Sequence, residues 1–138
     1  MKLGHLFWAA SLSFLIGESV PATAARSATP LPTAPQPPPG VPTRGAEIYE
    51  TKCGACHSLD ANRIGPKHRN LFGRKAGSIA DFHYTNALKR SGIIWNAQTL
   101  DRWLQNPVAM VPGTAMGVRL SSAQDRADVI AYLRQNSR

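Results

Sequence analysis

The chain has 138 residues, with 16 Lys and Arg against 8 Asp and Glu and a formal net charge of +8. That length holds one domain of ordinary size, or a smaller one with appendages. Two cysteines exclude a disulfide-dense scaffold, no apolar run reaches the ~18 residues of a membrane span, and 17% charge with 43% hydrophobic residues excludes global disorder.

The N-terminus reads as an export signal over residues 1–25. Lys2 gives a positive start, Leu3 to Gly17 is apolar, and Ala22-Thr23-Ala24-Ala25 is a small-residue cleavage site. The alternative is an uncleaved membrane anchor. A mitochondrial presequence fits less well, because the segment is neither Arg-rich nor amphipathic. Export implies an oxidising compartment, most simply a bacterial periplasm. Residues 26–42 hold seven of the eleven prolines and read as a disordered, polyproline-like leader. At ~3.1 Å per residue these seventeen residues would span about 50 Å and could act as a tether.

Residues 43–138 form the domain, and its pattern predicts an all-α class of short helices and long loops. Thr43 is placed to cap a first helix running to about Cys53, with Ala46, Tyr49 and Cys53 on one face. Gly65 to Gly77 reads as a loop, and Tyr84 to Arg90 as a short helix stopped by Gly92. Asn96 caps a segment in which Leu100, Trp103 and Leu104 share a face, ended near Pro107. Pro112-Gly113-Thr114 is another loop. Ser122 and Asp125 have capping-box form before a last helix with Val129, Ile130 and Leu133 inward. No strand pattern, internal repeat or phosphate-binding glycine motif is visible.

The chemistry lies in Cys53-Gly54-Ala55-Cys56-His57, the C-x-x-C-H haem-attachment spacing. Two thiols three residues apart on one turn can form thioethers with the two vinyl groups on one haem edge. His57, the next residue, can then supply one axial nitrogen to the iron. A thiol redox site usually needs a βαβ context, which is absent, and does not require the adjacent histidine. A zinc site would need four ligands, and neither His68 nor His83 has pairing spacing. For a second axial ligand the residues leave Met116 ahead of Met110, with His68 or His83 as bis-histidine alternatives.

Beyond these local readings, the domain resembles a class I cytochrome c of the mitochondrial and alphaproteobacterial type over nearly all of Gly45 to Leu133. The resemblance rests on Cys53 to His57, Gly65-Pro66, Leu71-Phe72-Gly73-Arg74-Lys75, Gly92 to Trp95, Asn106-Pro107, Pro112 to Met116 and Ala127 to Leu133, in that order. It implies the cytochrome c fold wrapped around one haem c held through Cys53 and Cys56, with His57 and Met116 as the metal ligands. By matching position it implies that the Pro66 carbonyl orients His57 and that Tyr84 and Trp95 bond the propionates. Arg74 would lie nearby, and Thr114 would support the methionine loop. Gly45 and Tyr49 match the crossing of first and last helices near Tyr132. Four departures stand out: His68 for a packed leucine, Trp103 for a tyrosine whose hydroxyl is thereby lost, Leu88 for an asparagine, and Ala115 for a lysine.

The function implied is one-electron carriage in a respiratory-type chain, without enzymatic activity, by a protein that is monomeric and periplasmic. The partners implied are larger redox proteins: a quinol-oxidising bc-type complex as donor, and a terminal oxidase or peroxidase as acceptor. From 43 to 138 there are 14 Lys and Arg against 7 Asp and Glu, a net +7. Lys52, Lys67, Arg69, Lys75 and Lys89 are the candidates for docking to acidic faces. Export and the lack of an aromatic-interleaved basic run argue against nucleic acid, and no membrane span remains after cleavage. The alternatives are a haem subunit of a periplasmic dehydrogenase and a haem-based sensor.

Overall fold

The computed structural model describes residues 38–138. The expected export signal, and the leader as far as residue 37, lie outside the described residues. The described residues contain five helices and no strand: α1 (Pro42–Lys52), α2 (Asn86–Arg90), α3 (Ala97–Gln105), α4 (Pro107–Met110) and α5 (Ala123–Asn136). The only ladder pairing among them is an isolated antiparallel bridge between Lys75 and Ile94. The all-α expectation is met.

Helix α1 begins at Pro42, inside the range assigned to the leader from sequence, and Thr43 does not cap it. The N-cap is Val41, and no side chain of the first turn caps the helix locally. Proline at the first helical position lacks the N–H that would need a partner and brings a helical φ. The cap comes from α5 instead: the Val41 N–H donates to Asp128 Oδ1 at 2.7 Å. Gln124 ties the same region down, donating to the Pro39 carbonyl at 3.0 Å and to Asp128 Oδ1 at 2.8 Å.

The crossing of α1 on α5 is set by Gly45. A Cβ there would lie 2.0 Å from the Asp128 carbonyl oxygen and 2.8 Å from Tyr132 Cβ. Only a residue without a Cβ lets the two backbones approach so closely. One turn on, Tyr49 is buried against Tyr132, ring centroids 5.1 Å apart. This is the crossing that the resemblance implied.

Helix α3 buries Leu100, Trp103 and Leu104, the face expected from its spacing. Its capping box is reciprocal: Asn96 Oδ1 accepts from the Thr99 N–H, and Thr99 Oγ1 from the Asn96 N–H, both at 2.8 Å. Pro107 ends α3 but also opens α4, a single turn not expected from sequence, which Asn106 caps through the Ala109 N–H. In α2, Thr85 is the cap, so the helix starts later than Tyr84. Helix α5 turns Val129, Ile130 and Leu133 inward as expected. Arg126 joins α5 to α3 through Asp101 at 2.7 Å and donates to the Leu120 and Ser121 carbonyls, both at 2.9 Å.

Asp128 carries a testable consequence. Burial by itself would push its carboxyl pKa up. The Val41 N–H, the Gln124 amide and Arg44 outweigh burial and hold it below the usual 3.8. Arg44 lies 3.2 Å from Oδ2 as an ion pair, without hydrogen-bond geometry. A carboxylate with a depressed folded-state pKa stabilises the fold above its unfolded-state value, and that stabilisation is lost as pH falls through the folded value. Asp128→Asn is therefore expected to be less stable than the parent at neutral pH, with the gap narrowing below pH 3.8. Denaturant unfolding across a pH series checks this. A gap that stays constant into acid would show that the charge contributes nothing.

Candidate functional site

Helix α1 hands directly on to the cysteine motif. The Cys53 and Gly54 N–H groups both donate to the Tyr49 carbonyl at 2.8 Å, and the Cys56 and His57 N–H groups return to the Cys53 carbonyl at 2.9 and 2.8 Å. Cys53, Cys56 and His57 are thereby held on one tight turn. All three line a cavity of about 340 Å³. Leu71, Leu88, Leu100, Leu104, Val129 and Leu133 also line it and make it apolar.

The chain after the motif is tied to the Gly65–Arg69 segment by a run of four bonds. Gly65 donates to the Cys56 carbonyl at 2.8 Å, His68 to Ser58 at 3.0 Å and Arg69 to Leu59 at 2.7 Å. Within that run, His57 Nδ1–H donates to the Pro66 carbonyl at 2.8 Å. A carbonyl can only accept, so this bond fixes the tautomer and leaves Nε2 as the free ring nitrogen. Burial holds the His57 pKa below its usual range, partly offset by the Pro66 bond. The ring is neutral at physiological pH, the form that ligates a metal.

Gly65 has a role that its motif did not disclose. A Cβ there would lie 2.2 Å from His57 Cε1. The bare backbone leaves the imidazole its place beside Pro66.

Met116 lines the cavity, and Trp103 Nε1–H donates to its sulfur at 3.1 Å. The hydroxyl expected to be lost with a tyrosine at 103 is thus replaced by an indole donor. Met110 packs against the core but is not among the residues lining the cavity. His68 lies flat against His57, ring centroids 4.4 Å apart and planes 19° apart. It shares a side with His57 rather than facing it, which removes it as an opposing ligand. Burial, His57 and Arg74 lower the His68 pKa to about 3, so the ring stays neutral.

Arg74, Tyr84, Trp95 and Thr114 line the same cavity. Arg74 donates to the Arg69 and Lys67 carbonyls at 2.5 and 3.0 Å. Tyr84 packs edge-on against Phe82 with centroids 4.7 Å apart, and Trp95 packs edge-on against Trp103 at 5.3 Å. His83, a bis-histidine alternative from sequence, lines the cavity, as do Phe82, Ile64 and Val118, which no motif had marked. They sit in loops, where neither periodicity nor spacing carries a signal.

The donor set fits a haem. It has two thiols on one turn, a neutral imidazole with one free nitrogen, a thioether and apolar walls. It does not fit the two other readings of the cysteines. Burial pushes the Cys53 thiol up to about 11, the reverse of an activated redox thiol. Among the described residues no three His, Cys, Asp or Glu side chains gather to hold a metal.

Comparison with known proteins decides the family. The cytochrome c family model matches residues 42–137. The chain belongs to the cytochrome c family. It is 44% identical over 99 residues to a cytochrome c of Cochliobolus lunatus, covering 69% of this chain and 92% of that one. It is 45% identical over 98 residues to cytochrome c2 of Rhodomicrobium vannielii, covering 68% and 78%. Among solved structures it is similar to cytochrome cH from Methylobacterium extorquens, with a TM-score of 0.66, 37% identity, and 70% and 99% coverage. Cytochromes c are single-electron carriers with one covalent haem c, and Cys53 and Cys56 have the spacing for its attachment.

Gly65→Ala should crowd the His57 ring. It is expected to reduce the haem-to-protein ratio of the matured protein and to cost about 1–3 kcal/mol of stability, the usual range for an overpacked core site. Haem quantification and thermal unfolding of the purified cytochrome check this; parental values in both would show that the ring does not need the space.

Proposed function

We propose that this cytochrome is an exported electron carrier of a respiratory-type chain, in which His57 and Met116 ligate one haem. The observation that carries the reading is a tautomer-locked imidazole and a held thioether lining one apolar cavity. Bound haem supplies an iron that gains or loses one electron without bonding a substrate. His57 offers Nε2 because Pro66 occupies Nδ1. The Trp103 indole holds the Met116 sulfur against swinging away. His57 and Met116, both from the protein, would keep the iron's ligands alike in both oxidation states, and thioether ligation would raise its potential. Trp95 and Tyr84 line the cavity and are assigned to the propionates. Arg74 and Thr114 line the same cavity and complete that assignment.

We assign residues 1–25 to a cleaved export signal, residues 26–41, up to the start of α1, to a leader, and the mature monomer to the periplasm. Acidic faces of larger redox proteins, a bc-type complex as donor and a terminal oxidase or peroxidase as acceptor, are the proposed partners. Two of the five basic candidates are already in ion pairs. Lys67 is paired with Asp81 at 3.6 Å, and Arg69 with Asp60 at 2.6 Å. Lys52, Lys75 and Lys89 are exposed and in no ion pair among the described residues.

Two outcomes follow. Ferrous Met116→Ala should bind carbon monoxide readily, while Met110→Ala should resist it like the parent; the reverse result would move the ligand to Met110. The second-order rate of electron transfer to an oxidase should fall steeply as salt rises, because exposed charges are screened over about 8 Å at physiological ionic strength. A flat dependence would remove electrostatic docking.

A further inference from the structure

The His57 hydrogen bond leaves one freedom unaccounted for. A ring held at a single nitrogen can still rock about the line to its acceptor. The structure closes that freedom with a second imidazole. His68 stacks on the face of His57 at 4.4 Å between centroids, with the planes 19° apart. His68 has its own anchors. Its N–H donates to the Ser58 carbonyl at 3.0 Å, next to His57 in the chain. Its Nδ1 is hydrogen-bonded to the Tyr49 hydroxyl at 3.0 Å, and the Tyr49 ring meets it edge-on with centroids 5.7 Å apart.

Tyr49 itself is 5% exposed and packed against Tyr132 at the α1–α5 crossing. A chain of contacts therefore runs from that crossing through a phenol and a flat ring to the face of His57. An aliphatic side chain in place of His68 could fill the same volume. It could not present a plane, and it could not be held at a fixed angle by a hydroxyl.

We propose that Tyr49 and His68 are positioning residues for His57, fixing the angle of its ring plane about the axis through Nε2 and thereby the electronic state of a metal bound there. Stacked rings have a defined mutual orientation, which is what a positioning contact needs. Groups behind a metal-ligating histidine set its orientation and donor strength. The proposal rests on His57 being an axial ligand.

The test uses the haem-loaded full-length protein as parent, Tyr49→Phe, His68→Leu, His68→Phe and the double variant Tyr49→Phe/His68→Leu. The readouts are the proton NMR shifts of the haem methyl groups in the ferric state, which respond to the axial ring plane, the reduction potential and denaturant stability. The parent spectrum comes first, and a parent without low-spin histidine-ligated iron overturns the ligation reading whatever the variants do. Given that signature, His68→Leu should redistribute the methyl shifts and move the potential. Tyr49→Phe, which keeps the packed ring, should do so to a smaller extent in the same direction. Tyr49→Phe should add nothing in the His68→Leu background, and His68→Phe, which keeps a flat ring but loses the hydroxyl bond, should bring the pattern back about as far as that of Tyr49→Phe. Methyl shifts and potential unchanged in both His68→Leu and Tyr49→Phe, even with lowered stability, would overturn the proposal and leave simple packing. A His68→Phe pattern no closer to the parent than that of His68→Leu would overturn it as well.

Discussion

A histidine with one ring nitrogen committed to a carbonyl can offer only the other to a ligand, and this molecule is arranged around that restriction. Pro66 accepts from His57 Nδ1 at 2.8 Å. For the carbonyl to be there, the chain must return past the cysteine turn, which it does through the bonds of Gly65, His68 and Arg69 to Cys56, Ser58 and Leu59. Gly65 must lack a side chain for that return to come so close. Without the bond either tautomer would be open to the ring, and the cavity would have no fixed metal-binding vector.

The second constraint is the crossing of the terminal helices. Gly45 brings α1 onto the Asp128 carbonyl, and the Asp128 carboxylate caps α1 through Val41. One side chain thus does for α1 what Thr43 does not. Because Cys53 follows α1 directly, the crossing also sets where the thioether-forming turn begins. Val129 and Leu133 of α5 line the same cavity. Folding of the helix pair and shaping of the haem site are one packing problem. A chain with 96 residues in its domain has little core to spare for solving them separately.

Much of this was legible in the residues. The C-x-x-C-H run is local chemistry and needs no fold to be read. The faces of α3 and α5 follow from a 3.6-residue period, and their caps from Asn96 and Ser122. What was not legible depends on contacts distant in sequence. Asp128 as the cap of α1 joins residues 87 positions apart. Trp103 reads as the loss of a hydroxyl until the indole is seen 3.1 Å from the Met116 sulfur. His68 reads as a bis-histidine alternative or as an occupant of a packed position, and only its stack on His57 puts it beside that ring. Met116 and Met110 are both methionines near loops; the cavity wall separates them.

The central claim is that one haem lies between His57 and Met116. Its most direct test is proton NMR of the reduced protein from a haem-maturing host, with the methionine methyl groups assigned by isotope labelling. One methionine methyl strongly shielded by the haem ring current, belonging to Met116, is the expected result. A spectrum with no such resonance, or with one that belongs to Met110, would contradict it.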